Sequence, residues 1–224
     1  MTTCGPELCQ KDHYAVMGNP IEHSKSPIIH QMFARQTGQV LAYDALLVAL
    51  DGFAQAVADF MTAGGKGLNV TVPFKQEAWQ IADKLTARAK LAGAVNTLMI
   101  RDNSELFGDN TDGIGLVRDL TANLGGELGE KRLLILGAGG AARGVLLPLL
   151  EQRPARLVIA NRTVERAIQL AESFAAYGTL DGCGFEDLSK NGDYDVVVNA
   201  TSAGLHDQVP DLPTGVIIPR TCCY

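Results

Sequence analysis

The sequence contains little that would suit a nucleic-acid or membrane surface. Only 6% of its 224 residues are aromatic, and no basic stretch is interleaved with aromatic residues. The formal net charge of −6 does not favour binding to a phosphate backbone. No apolar run approaches the length of a membrane span. We therefore expect neither nucleic acid nor membrane as a partner, and small-molecule chemistry fits this composition better.

The cysteines lack the spacing of a metal-ligand or redox motif, and no secretory signal precedes them. Their odd number also argues against a disulfide framework. We expect reduced thiols, a cytoplasmic location and no metal site. The five cysteines are Cys4, Cys9, Cys183, Cys222 and Cys223.

The length and the 46% hydrophobic content are enough for two domains, each with its own core. We predict a loosely held leader at residues 1–13, an α/β domain at 14–112 and a nucleotide-binding domain at 113–224. Hydrophobic periodicity predicts strands at 14–17, 42–47, 67–71, 97–101, 133–136, 156–160 and 195–200. It predicts helices at 27–37, 51–63, 78–82, 113–124, 141–150 and 164–176.

A glycine-rich turn joins the apolar run at 133–136 to the predicted helix at 141–150. Such a turn lets the backbone approach a pyrophosphate, whose charge the helix N-terminus favours. Glycine also serves ordinary strand-to-helix turns, so this motif alone is weak evidence for a nucleotide. The residues predicted to contact the nucleotide here are Gly137, Ala138, Gly139, Gly140 and Ala141.

The residues after the next apolar strand indicate which dinucleotide is bound. An NAD enzyme usually has Asp or Glu there for the ribose 2′-hydroxyl, but this chain has Asn161 and Arg162, followed by Thr163. A carboxylate would repel a 2′-phosphate, whereas Arg162 and Arg166 can pair with it through charge-assisted hydrogen bonds. The pattern favours NADP over NAD, although either arginine could also be a solvated surface charge.

Two serines in the first domain lie beside a helix start. Ser26 is expected to be the N-cap residue, with Pro27 at the favoured first helical position. Serines cap helices in many proteins, so capping is an alternative to ligand binding. Because Ser24 has no expected capping role, the pair favours carboxylate binding by two hydroxyl groups.

A polar pair on a buried strand also points to a ligand. The two-residue period places Asn69 and Thr71 on one face, where buried polar groups need hydrogen-bond partners that a polyhydroxylated ligand would supply. Pro73 stops the strand, so that Lys75 follows at its end, where open α/β sheets usually hold their sites. The alternative for Lys75 is an ordinary surface charge.

Two further polar residues, Asn96 and Asp112, lie at element margins. Asp112 could simply favour the dipole of the helix that it begins, or it could share proton transfer with a lysine. Residues 108–113 superficially resemble a calcium loop, but the first ligand position would be Gly108 and no EF-hand helix pair surrounds it. We therefore predict no metal there.

Taken together, these features resemble shikimate dehydrogenase of the NADP-dependent bacterial biosynthetic type. The resemblance runs from residue 14 to residue 224, on segments 18–20, 23–27, 69–75, 92–97, 108–113, 137–142 and 161–163. It implies an N-terminal α/β substrate domain and a Rossmann-like NADP-binding domain, with the active site in the cleft between them. It also implies a monomer or homodimer that reversibly reduces 3-dehydroshikimate to shikimate with NADPH in aromatic amino-acid (chorismate) biosynthesis.

The resemblance also implies residue roles. It assigns Lys75 with Asp112 as the catalytic pair and Thr201 with Ser202 as residues flanking the cofactor. Ser24 and Ser26 would hold the substrate carboxylate. The residues implied to contact ring hydroxyls are Asn69, Thr71, Asn96 and Asp112.

The family continues past the pair that corresponds to Cys223 and Tyr224. Its next segment lines the substrate and nicotinamide sites, and its last helices pack onto the first domain. Relative to that pattern we expect the chain to be truncated at Tyr224 and to lack those contacts. Two alternatives stay open: a non-catalytic relative that binds nucleotide or shikimate, and a quinate/shikimate dehydrogenase using NAD, which Arg162 disfavours.

Overall fold

A computed structural model describes residues 11–101, 103–201, 211–219 and 221–224. The chain divides into two compact units, one of residues 1–90 and 95–109 and the other of residues 91–94 and 110–224. Within the described residues, no helix is both long and apolar enough to cross a membrane.

The first unit is built on a six-stranded mixed sheet in the order β2-β1-β3-β5-β6-β4. Strand β1 pairs in parallel with β2 and β3, whereas β5 is antiparallel to both β3 and β6. The strands are β1 (Asp12–Gly18), β2 (Leu41–Leu47), β3 (Gly67–Val70), β4 (Lys84–Leu85), β5 (Thr97–Ile100) and β6 (Leu106–Asp109).

The helices of this unit supply the other half of its core. Phe53, on α2, stacks on Phe74, which precedes α3, with ring centroids 4.9 Å apart, and both side chains are buried. They pack with Met17 and Leu68 of the sheet. The helices are α1 (Ser26–Thr37), α2 (Phe53–Thr62), α3 (Lys75–Ile81) and α4 (Ala87–Ala92), the last of which continues past the unit boundary.

The second unit contains a five-stranded, fully parallel sheet in the order β11-β10-β7-β8-β9. Its central strands are continuous apolar runs because helices and loops cover both faces. The strands are β7 (Arg132–Leu136), β8 (Arg156–Ala160), β9 (Leu180–Cys183), β10 (Val196–Asn199) and β11 (Cys222–Cys223). The helices are α5 (Asp112–Arg118), α6 (Gly140–Leu150) and α7 (Val164–Phe174).

The structure corrects several predicted element bounds. Strand β1 begins at Asp12 rather than at residue 14, because Asp12 and His13 already pair with β2. Helix α3 begins at Lys75 rather than at residue 78. The single helix predicted at 113–124 is α5 followed by a π-helical turn, Asp119–Asn123, a change of winding that apolar periodicity does not reveal.

Several short elements were not predicted at all. They are only two to six residues long, so no long hydrophobic run marks them. Strand β9, for example, contains Gly182, where a Cβ would lie 2.4 Å from the backbone of Ala167 in α7. The missed elements are α4, β4, β6, β9 and β11.

Candidate active site

The predicted glycine turn lies between the ends of three parallel strands. Gly137 follows β7 with φ of 104°, and its N–H donates to the Ala160 carbonyl at the end of β8 over 2.7 Å. A Cβ on Gly137 would lie 3.0 Å from the Ala200 carbonyl oxygen, just beyond β10. Glycine is therefore required here both by the backbone angle and by the space.

The start of α6, at the same place, has backbone N–H groups that the helix itself leaves without partners. Gly139 is the N-cap residue and makes no side-chain capping bond, and the first turn contains no acidic side chain. A Cβ on Gly139 would meet nothing within 4 Å, so its surroundings are open. N–H groups at a helix N-terminus with open space before them suit a pyrophosphate.

The segment after β8 is organised by Asn161 and is rich in positive charge. The Asn161 Nδ2 group donates to the Thr163 carbonyl over 2.9 Å, and the Asn161 N–H donates to the Cys183 carbonyl over 3.1 Å. Arg162 and Arg166 are exposed, and neither takes part in an ion pair with another described residue. Their guanidinium groups are thus open to an anionic ligand.

The residues predicted to flank the cofactor after β10 are only partly described. The backbone N–H and hydroxyl of Thr201 both donate to Asn199 Oδ1, over 3.1 and 2.7 Å. Ser202 lies outside the described residues.

The serine pair at the start of α1 differs from the prediction. The N-cap residue is Lys25, not Ser26, and Ser26 is the first helical residue. The Ser24 hydroxyl accepts a hydrogen bond from the Ser26 N–H over 3.3 Å. Ser24 therefore does serve the helix start, because its side chain satisfies a backbone donor that the helix leaves unpaired.

The polar residues on and beside β3 form a hydrogen-bonded group within the first unit. Asn69 Nδ2 lies 3.5 Å from the Asn96 carbonyl oxygen and 3.4 Å from Thr97 Oγ1, and Thr97 Oγ1 donates to Asn96 Oδ1 over 2.9 Å. Asn69 Oδ1 accepts a 2.6 Å hydrogen bond from the Tyr43 hydroxyl. The backbone of Thr71 donates to the Met17 carbonyl over 2.9 Å.

Lys75 is half-buried in the first turn of α3. Its carbonyl accepts the Val95 N–H over 2.7 Å, while the Asn96 N–H donates to the Asp109 carbonyl over 3.0 Å. These bonds hold the loop that carries Asn96 against both α3 and the end of β6.

Asp112 begins α5 in the second unit and is held there by Asn110. Asn110 is 2% exposed; its Oδ1 accepts the Asp112 N–H over 3.2 Å and its Nδ2 donates to the Ala94 carbonyl over 3.0 Å. A Cβ on Gly144, in α6, would lie 2.6 Å from Asn110 Oδ1. Asn110 thus connects the start of α5 with Ala94 and with α6.

Sequence reasoning did not identify Tyr43 or Asn110 as site residues. Asn110 stands inside the polar segment that was singled out, so its position beside Asp112 was a usable signal. Tyr43 had no such signal, because only the register of β2 beside β1 and β3 brings it to Asn69.

Comparison with known proteins identifies the family of this chain. Residues 16–98 match the shikimate dehydrogenase substrate binding domain, and residues 119–206 match the shikimate / quinate 5-dehydrogenase family. The shikimate dehydrogenase (NADP(+)) of Alkalilimnicola ehrlichii is 57% identical over 213 residues, which make up 95% of this chain and 78% of that protein. The chain belongs to the shikimate dehydrogenase family.

Solved structures of this family share the fold. Shikimate dehydrogenase from Aquifex aeolicus is 34% identical with a TM-score of 0.83, over 96% of this chain and 78% of that one. Shikimate 5-dehydrogenase from Thermus thermophilus, solved in complex with NADP(H) and shikimate, is 32% identical with a TM-score of 0.81, over 95% and 77%. The predicted α/β fold, a substrate domain followed by a Rossmann-like domain, is confirmed.

Proposed function

We propose that this protein catalyses the reversible, NADPH-dependent reduction of 3-dehydroshikimate to shikimate, as a step in aromatic amino-acid biosynthesis. The observation that carries the proposal is the occurrence in one chain of a nucleotide turn with arginines after β8 and a polar asparagine-lysine group after β3. We assign substrate binding to residues 14–112 and nucleotide binding to residues 113–224. The relatives named shikimate dehydrogenase (NADP(+)) support the proposed reaction and cofactor.

The residues fit NADP at three points. Gly137 and Gly139 leave room for a pyrophosphate, which the N–H groups at the start of α6 can bind, together with Ala138, Gly140 and Ala141. Arg162 and Arg166 supply two positive charges for a 2′-phosphate, beside Asn161 and Thr163. Thr201 and Ser202 follow β10 and complete the cofactor set that we propose.

When bound, NADPH supplies the hydride, and the protein has to orient the substrate and handle the proton. Reduction turns the carbonyl oxygen of the substrate into an alkoxide, so a protonated Lys75 Nζ stabilises that charge and donates the proton. We assign to Asp112 the orientation of the lysine and of the adjacent hydroxyl. In the reverse direction Lys75 accepts the proton from shikimate.

The remaining site residues recognise the substrate. The hydroxyls of Ser24 and Ser26, at the start of α1, are assigned to the carboxylate, which the helix dipole also favours. Asn69, Thr71 and Asn96 are assigned to the ring hydroxyls. Asn69 and Asn96 already belong to one hydrogen-bonded group, so their amides are held in fixed positions.

The deciding assay follows absorbance at the NADPH band while the protein is incubated with shikimate and NADP. We expect the absorbance to rise when shikimate and NADP are both present. The rise should be much smaller when NAD replaces NADP or when quinate replaces shikimate. Tight binding of shikimate or NADP with no turnover would instead support a non-catalytic relative. Rates with NAD and with quinate that equal those with NADP and with shikimate would support a quinate/shikimate dehydrogenase.

A further inference from the structure

Tyr43 is a buried polar residue to which no role has yet been assigned. It lies in the middle of β2 with 5% of its surface exposed, and its hydroxyl donates to Asn69 Oδ1 over 2.6 Å. Its ring stacks on His30 of α1, with centroids 4.1 Å apart and planes within 5°. Tyr43 therefore contacts α1, which carries Ser26, and β3, which carries Asn69.

The hydroxyl of Tyr43 acts as a hydrogen-bond donor. Burial raises the pKa of Tyr43 to about 12. The phenol therefore stays protonated at neutral pH and donates to Asn69. The hydrogen bond to Asn69 and the stacking on His30 thus join β2 to β3 and to α1.

The hydrogen bond from Tyr43 determines which way the Asn69 amide faces. Because Asn69 Oδ1 accepts the hydrogen bond from the Tyr43 hydroxyl, the Nδ2 group is the end of the amide that remains for other partners. Its own contacts, to the Asn96 carbonyl and Thr97 Oγ1, are long at 3.5 and 3.4 Å. Asn69 is thus left with a donor that is weakly used, and a ligand hydroxyl oxygen can accept from it.

We propose that Tyr43 is a positioning residue for the substrate, which fixes the Asn69 amide as a hydrogen-bond donor to a ring hydroxyl. The assignment rests on the proposed function. Tyr43 acts through Asn69, since its own side chain is buried and its hydroxyl already donates to Asn69 Oδ1.

The test is a double-mutant cycle with shikimate binding as the readout, measured by calorimetry. Tyr43→Phe keeps the ring that stacks on His30 and removes only the hydroxyl. We expect it to weaken shikimate binding about 3- to 10-fold, with kcat and the KM for NADP nearly unchanged. In an Asn69→Ala background the same change should have no further effect on binding, because its route to the substrate is already gone.

Tyr14→Phe is the matched control. Tyr14 lies beside Tyr43 in the β1–β2 register and packs against the same small cluster, so its variant removes the same group from the neighbouring strand. It should leave shikimate affinity unchanged. Unchanged affinity in Tyr43→Phe, or losses that add fully with Asn69→Ala, would overturn the assignment while leaving the proposed function intact. An unmodified protein that binds no shikimate would overturn both.

Discussion

Replacing Gly144 with alanine should perturb the start of α5 from a distance. Gly144 lies in α6, where a Cβ would come within 2.6 Å of Asn110 Oδ1 and 2.7 Å of Asn110 Nδ2. Real Cβ atoms do not approach other atoms so closely, so the amide of Asn110 has to move. That movement breaks its bonds to the Ala94 carbonyl and to the Asp112 N–H.

The expected cost follows from three contributions. A buried amide left without partners costs about 1–3 kcal/mol, and crowding a packed interior costs a similar amount, about 1–3 kcal/mol. Alanine recovers about 1 kcal/mol in a helix interior, because it loses less backbone conformational entropy on folding than glycine does. Taking the middle of each range, we expect a net loss of about 3 kcal/mol in the free energy of unfolding, or roughly 6–12 °C in the thermal midpoint for a chain of this size.

The assay is thermal unfolding by circular dichroism, with Gly115→Ala as the control. Gly115 lies in α5, and a Cβ there meets nothing within 4 Å, so that variant should equal or exceed the unmodified protein in stability. Gly144→Ala should also lower kcat, since Asp112 loses the bond that positions its backbone. Equal midpoints for the two variants would refute this account of Asn110.

Three further predictions concern charge. Arg162→Ala should remove most of the preference for NADP over NAD, about 10-fold or more, by losing a charge-assisted phosphate contact; comparable affinities for both cofactors in the unmodified protein, measured by titration, would contradict this. Lys75→Ala should lower kcat by about 10²-fold or more with a much smaller loss of shikimate affinity, because the lysine acts chiefly as the alkoxide develops. Equal losses of kcat, from steady-state kinetics, and of shikimate affinity would show that Lys75 is a binding residue instead. The Arg132 N–H, 2.8 Å from Asp195 Oδ2, lowers the pKa of that carboxyl, so its stabilisation is present above the ordinary pKa of 3.8 and is lost as pH falls through the folded value. Asp195→Asn should therefore cost about 1 kcal/mol in urea unfolding at pH 7, and the two proteins should converge below pH 3.8; a constant difference across that range would argue against the carboxylate.

The parallel sheet of the second unit could be predicted because its physical signature is local. Strands β7 and β8 are buried on both faces, so they appear in the sequence as apolar runs, and the glycine turn directly follows β7. The two-residue strands β4 and β11 have no such signature, since their pairing depends on neighbours that are distant in sequence.

The candidate site residues also divide into those that have a local signal in the sequence and those that depend on contacts distant in sequence. Ser24, Asn69 and Lys75 could be proposed because each stands beside a local signal: a helix start, a polar face or a strand end. The bond between Tyr43 and Asn69 could not, because it requires two strands on either side of β1 to meet in register. The Ser24 bond to the Ser26 N–H was missed for a different reason, since a shift of one residue in the helix start changes which group is unpaired.

The most direct test of the account is to identify the product. Shikimate and NADP are incubated with the protein, and the mixture is followed by proton NMR together with the NADPH absorbance. The account predicts 3-dehydroshikimate and NADPH in equal amounts, no reaction without shikimate, and a strongly reduced rate in Lys75→Ala. A product oxidised at a different carbon, or NADPH formed at the same rate by Lys75→Ala, would contradict it.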